Sequence, residues 1–120
     1  MPELPEVETI RRGLEKYLIG HTIERVEVRT RKILQKDERN LLGGKIVKTR
    51  RFGKVLVIDL SNGYSALIHL KLTGQLVFQG PNLPGKHTHV IFNLDGNRKL
   101  YFNDLRKFGW IKIAKSEEVK

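Results

Sequence analysis

The 120-residue chain contains no cysteine, one methionine and one tryptophan. Without thiols, disulfides and thiolate metal sites are excluded. The four histidines stand at no spacing typical of zinc sites, so no metal is expected in this chain. Long hydrophobic runs are also missing. No stretch approaches the roughly 18 apolar residues of a spanning helix, and no signal-peptide pattern precedes the first charges. The expectation is a chain without membrane attachment, placed in the cytoplasm. Acidic residues are scarce: 13 Asp and Glu face 23 Lys and Arg, leaving a formal charge of +10. So strong a positive field implies an anionic partner. The basic residues are spread along the chain instead of forming one amphipathic stripe, which favours nucleic acid over a membrane surface, with a merely solubilising excess of charge as the alternative.

The length fits one domain with a core large enough to fold unaided. Over residues 5–19, Val7, Ile10, Leu14, Tyr17 and Leu18 recur at helical spacing and predict one amphipathic helix that stops at Gly20. Residues 22–29 alternate as a strand does. A short helix is predicted over 36–42, ended by Gly43-Gly44. Beyond it, segments 45–52, 55–60, 65–70, 75–79, 89–94, 99–102 and 110–114 are rich in Val, Ile, Leu and aromatics. Ser61-Asn62-Gly63 and Asp95-Gly96-Asn97 supply hairpin turns between some of them. The pattern predicts a mainly β fold with some α: a β-sandwich or flattened barrel of about eight strands with a long N-terminal helix and one short helix at its margin. Residues 81–86 read as a mobile loop, and 115–120 as a polar linker or a frayed end.

The first eight residues carry chemistry of their own. Removal of Met1 would free a secondary amine on Pro2, close to Glu3, Glu6 and Glu8. An α-amino group has a pKa of roughly 7.7–8, against about 10.4 for lysine, so part of it is neutral and nucleophilic at physiological pH. Condensed with a sugar aldehyde carbon, a secondary amine gives an iminium that stays cationic without a proton and serves as an electron sink. A plain helix start is the competing reading, since proline suits the first turn and acids there complement the helix dipole. Retention of Met1 would leave an amide nitrogen that attacks nothing.

Further motifs occur in order after that octapeptide: Gly53-Lys54 between two strands, Ile68-His69-Leu70-Lys71-Leu72-Thr73-Gly74-Gln75-Leu76, Lys86-His87-Thr88-His89-Val90 and Asp104-Leu105-Arg106-Lys107-Phe108-Gly109. As a set they resemble the N-terminal domain of the formamidopyrimidine-DNA glycosylase and endonuclease VIII family, from Met1 to about Ala114. Leu4 and Val7-Glu8 favour its oxidised-purine branch, the bacterial formamidopyrimidine-DNA glycosylases. The resemblance implies a bifunctional glycosylase and abasic-site lyase that excises 8-oxoguanine and formamidopyrimidines from double-stranded DNA, acting as a monomer. In that scheme Pro2 attacks C1′ and Glu3 serves the sugar ring oxygen. Glu6 orients the proline or a water, Lys54 and His69 grip phosphate at the lesion, and His87 is a further DNA contact. Leu72, Arg106 and Phe108 fill the gap left when the damaged nucleotide is flipped out. Leu72 stands where methionine is more usual, a stiffer side chain of similar volume, and Leu105 where proline is frequent.

Members of this family continue into a helix-two-turn-helix domain and a zinc finger. Neither is found in these 120 residues, so the resemblance implies a single N-terminal catalytic domain at 1–120, weak or inactive alone, with any zinc outside it. A non-catalytic, sequence-independent DNA-binding module is the alternative, and a β-domain without nucleic-acid function the third reading.

Overall fold

A computed structural model describes residues 4–35, 37–80 and 83–119. The apolar segments build eight strands: β1 (Ile23–Val28), β2 (Ile46–Phe52), β3 (Val55–Leu60), β4 (Tyr64–His69), β5 (Gly74–Phe78), β6 (Thr88–Leu94), β7 (Arg98–Asp104) and β8 (Trp110–Lys115). They form two four-stranded sheets, ordered β1-β6-β7-β5 and β2-β3-β4-β8, with every pair antiparallel. Side chains alternate across each strand. Leu56, Ile58, Leu60, Ala66, Ile68 and Ile111 of one sheet therefore meet Val26, Val90, Phe92, Leu94, Leu100 and Phe102 of the other in one buried core. The sandwich expected from the strand pattern is the fold observed.

Two sandwiched sheets leave two open mouths, and each is plugged differently. Helix α1 (Leu4–Leu18) covers the mouth between the edge strands β2 and β5. It buries Val7 and Leu18, with Ile10 and Leu14 packed against the core. Arg11 donates to the Thr49 hydroxyl at 3.1 Å, Arg51 reaches Glu8 at 3.3 Å, and the Gly20 N–H donates to the Ile46 carbonyl at 2.8 Å. These pairs run α1 antiparallel to β2, so the helix starts at the end of the sandwich where β2 turns into β3. The mouth between β1 and β8 is closed by the connection after β1, in which buried Ile33 and Leu34 lie along β8 and Ile33 O accepts the Ile111 N–H at 2.8 Å.

Local details depart from the sequence reading for identifiable reasons. The short helix expected over 36–42 is a single 3-10 turn, Glu38–Leu41, capped by the Asp37 carboxylate on the Arg39 N–H; Lys36 lies outside the described residues. With only Leu41 buried and two glycines following, nothing extends the turn. Tyr17 is not a core residue: it is 57% exposed and stacks on Phe78 of β5 at 5.5 Å between ring centroids. Strand β7 runs through polar Asn103 and Asp104, because pairing with β5 and β6 on both sides holds it extended. Of the loop expected to be mobile, Pro81 and Asn82 lie outside the described residues. The rest is held, with Leu83 half-buried beside Gly80 and the Gly85 N–H donating to the Thr88 hydroxyl at 3.0 Å.

Phe102 is fully buried where the two sheets meet. Phe102→Ala is expected to cost about 3–5 kcal/mol, read as a lower urea midpoint with an unchanged slope.

Candidate nucleic-acid interface

Register decides which loops meet. His69, the last residue of β4, pairs with Trp110, the first of β8, and Gly74, the first of β5, pairs with Asp104, the last of β7. The connections 70–73 and 105–109 are therefore two crossings between the same sheets, side by side at one end of the sandwich. Val55 pairs with His69, which brings the Gly53-Lys54 turn to that end. The Asp104 N–H donates to His87 O at 2.9 Å, which brings the start of β6 there too. Helix α1 begins at this end with exposed Glu6 in its first turn. The structure thus gathers Glu6, Lys54, His69, Leu72, His87, Arg106 and Phe108 at one end, while Pro2 and Glu3 lie outside the described residues.

Each crossing lifts an apolar side chain into solvent. Leu72 is 47% exposed and Phe108 56% exposed. In both loops the preceding residue is a lysine with left-handed backbone, Lys71 at φ 55° and Lys107 at φ 60°. A left-handed non-glycine residue is strained and persists only where its surroundings over-determine it. Here the surroundings are specific. The buried Asp104 carboxylate accepts from the Thr73 hydroxyl of one loop and, at 3.1 Å and 2.8 Å, from the Arg106 and Gly109 N–H groups of the other. Glycine is required where each crossing lands. A Cβ on Gly74 would fall on the Leu70 carbonyl oxygen, and one on Gly109 would sit 2.8 Å from the His69 carbonyl oxygen. Burial alone would raise the Asp104 pKa, but the hydrogen bonds from Thr73 and from the Gly109, Arg106 and Lys107 backbone prevail and hold it below the usual carboxylate value.

The cationic groups have distinct settings. Gly53, at φ 58°, opens the two-residue turn that holds Lys54 between β2 and β3. The Arg106 guanidinium lies 5.8 Å from the centre of the Phe108 ring, a cation–π pair that keeps the two exposed side chains together. His69 accepts the Lys71 N–H on Nδ1 at 3.1 Å and leans on Trp110 at 5.4 Å. Its neutral ring then carries the proton on Nε2 as a donor. Burial first, then Lys71 and Lys54, lower its pKa. One acid of α1 is neutralised: Glu8 binds Arg11 at 2.6 Å, Arg12 at 2.8 Å and Arg51 at 3.3 Å, and the first two hold its pKa far below the carboxylate range. Among the described residues no three His, Asp or Glu side chains gather as metal ligands.

Sequence reasoning quoted Thr73 and Asp104 within motifs but gave neither a role. The available signal was positional: an aspartate two residues before an exposed loop position accepts the i+2 N–H in an Asx-turn.

The fold is thus an eight-stranded antiparallel sandwich with a cation-rich end, from which paired loops raise apolar side chains. Comparison with known proteins narrows this. The model of the formamidopyrimidine-DNA glycosylase N-terminal domain matches residues 1–111. The chain is 45% identical to the formamidopyrimidine-DNA glycosylase of Pelotomaculum thermopropionicum and 47% identical to that of Carboxydothermus hydrogenoformans. Each alignment covers 98% of this chain, against 45% and 46% of the two relatives, so the chain spans about half their length. The Lactococcus lactis Fpg in complex with DNA containing FAPY-dG superposes with a TM-score of 0.89 at 30% identity, over 98% of this chain and 46% of that one. A complex of the same enzyme with DNA containing an abasic site also gives 0.89, over 98% and 45%. The chain belongs to the formamidopyrimidine-DNA glycosylase N-terminal domain family.

Two outcomes are expected from this geometry. In an NMR titration the His69 ring should protonate below the ordinary value near 6.5. Unfolding then takes up a proton once the pH falls below about 6.5, so the His69 contribution is neutral above that pH, erodes stability as the pH falls, and levels off below the folded midpoint. Lys107→Val should destabilise the fold by about 1–2 kcal/mol in chemical unfolding, since a β-branched residue tolerates left-handed backbone poorly, whereas Lys107→Gly should not.

Proposed function

We propose that this chain is the nucleophile-bearing domain of a bacterial DNA glycosylase and abasic-site lyase acting on oxidised purines in cytoplasmic DNA. One observation carries the reading: Lys54, His69, Leu72, Arg106 and Phe108, drawn from three separate turns and crossings, share the end of the sandwich from which α1 starts. Relatives named formamidopyrimidine-DNA glycosylases, and Lactococcus lactis complexes with FAPY-dG and abasic DNA, support it.

In this reading the processed Pro2 nitrogen forms a bond to C1′ as the glycosidic bond breaks and the base departs. Glu3 gives a proton to the ring oxygen, the ring opens, and an iminium remains. That cation acidifies C2′–H. Loss of this proton expels the 3′ phosphate, and a second elimination expels the 5′ phosphate. Lys54 and the His69 Nε2–H hold phosphate oxygens, and the charge of Lys71 and Lys107 favours the same strand. Unstacking the lesion costs a few kcal/mol, which Leu72 and Phe108 offset by occupying the vacated stack while Arg106 hydrogen-bonds the orphaned base.

Borohydride trapping on abasic-site duplex tests the proposal. At high protein concentration the chain with Met1 removed should form a covalent adduct, weaker than that of a relative of full length, and the chain retaining Met1 should form none. A chain that fails to trap, binds damaged and intact duplex equally, and loses affinity with salt at about 0.9 log unit per log unit for each phosphate contacted is instead a non-catalytic binding module.

A further inference from the structure

The exposed wedge residues are held by a buried network that the chemistry above does not use. Its centre is Asp104, 1% exposed. One carboxylate oxygen takes the Thr73 hydroxyl and the Arg106 N–H, and the other takes the Gly109 N–H. The Arg106 N–H also points to the Thr73 hydroxyl oxygen at 3.2 Å, so the two crossings share one three-centre junction. From the Asp104 carbonyl the network continues. It accepts His89 Nε2–H at 2.7 Å, which in the neutral ring leaves Nδ1 to accept the Thr30 hydroxyl at 2.7 Å. The His89 carbonyl in turn accepts the Arg29 and Thr30 N–H groups at 2.8 Å and 3.2 Å. Three loops at the DNA-facing end, 29–30, 70–73 and 105–109, are thus tied through one aspartate.

Such ties matter because neither burial nor backbone propensity favours the loop conformations. Leu72 and Phe108 each follow a left-handed lysine and are half-exposed, so neither burial nor propensity holds them in place. A buried carboxylate stripped of one donor is left under-solvated, which makes the junction all-or-none.

We propose that Asp104, with Thr73 as its link to the second crossing, is a positioning residue that sets Leu72 and Phe108 in mutual register as one wedge. The inference rests on the glycosylase and lyase reading for the wedge's purpose, but not for its geometry. Its consequence is selective: the junction matters on a duplex, where a gap must be filled, and not on a single strand, where no gap exists.

The test uses Thr73→Val, Thr73→Ser and Asp104→Asn in the full chain with Met1 removed. Amide exchange is read first. Thr73→Val, a change on one crossing, should speed exchange of the Arg106 N–H on the other by about tenfold while Ile58 in β3 is unchanged. Asp104→Asn should speed both Arg106 and Gly109, and Thr73→Ser should match the parent. Borohydride trapping is read second. Thr73→Val should lose about tenfold on an abasic duplex yet stay within about twofold on an abasic single strand, with Thr73→Ser restoring the duplex value. Equal losses on both substrates, an unchanged duplex-to-single-strand ratio, or unchanged Arg106 exchange would each overturn the proposal. If the parent chain traps neither substrate, the isolated domain is catalytically incompetent, and Arg106 exchange alone decides whether the crossings are coupled.

Discussion

Everything at the working end depends on one constraint of register: two strands of one sheet that are hydrogen-bonded neighbours cross to two neighbouring strands of the other. His69, where the first crossing departs, lies beside Trp110, where the second arrives, and Gly74 beside Asp104 at their other ends, so the crossings cannot move independently without breaking ladder bonds in both sheets. The core that keeps the sheets apposed, Phe92 and Phe102 against Ile68 and Ile111, is therefore also what fixes the spacing of the loops. Stability and site geometry are one property here. Helix α1 and the 33–34 segment seal the two mouths and prevent the sheets from sliding.

Electrostatics at this end follow from the same economy. A chain with ten more basic than acidic residues could have neutralised its cations in surface pairs. Glu8 on α1 is instead committed to Arg11, Arg12 and Arg51, and Asp104 is buried and satisfied by N–H and O–H donors. Neither carboxylate presents its charge to an approaching phosphate. Burial and two neighbouring lysines oppose protonation of His69, which favours a neutral ring that offers a directional donor and leaves the charge to lysine and arginine.

Much of the fold was legible because strand alternation and turn residues are local signals. Glycine at 53 and 63 and the Asp95-Gly96-Asn97 turn mark where the chain reverses, and the intervening Val, Ile and Leu residues make the strands. The one-turn 3-10 segment was over-read as a helix because Leu41 and Leu42 suit either, and only burial of the first distinguishes them. Tyr17 fitted the apolar helical stripe by spacing, yet it reaches past the core to Phe78 on an edge strand that no local pattern locates. The site residues could be named through resemblance, but not their company. That Thr73 meets Asp104 across 31 positions is set by strand order, and the left-handed backbone at Lys71 and Lys107 carries no composition signal, since neither is glycine or asparagine. Phe108 would pass for a core residue in any hydrophobicity profile, and is exposed only because its loop is lifted.

The crossing between β4 and β5 is closed by the Gly74 N–H on the Leu70 carbonyl at 2.8 Å, and that between β7 and β8 by the Gly109 N–H on Asp104. Surface loops ordinarily absorb insertions and deletions with little harm. These two are closed rings of fixed circumference whose ends are anchored in different sheets. One residue added or removed would rotate Leu72 or Phe108 away from its neighbour while leaving every strand intact. Within this fold, length variation should be carried by the β5–β6 connection, and the two crossings should behave as sizes to be kept, even where the residues they display are free to change.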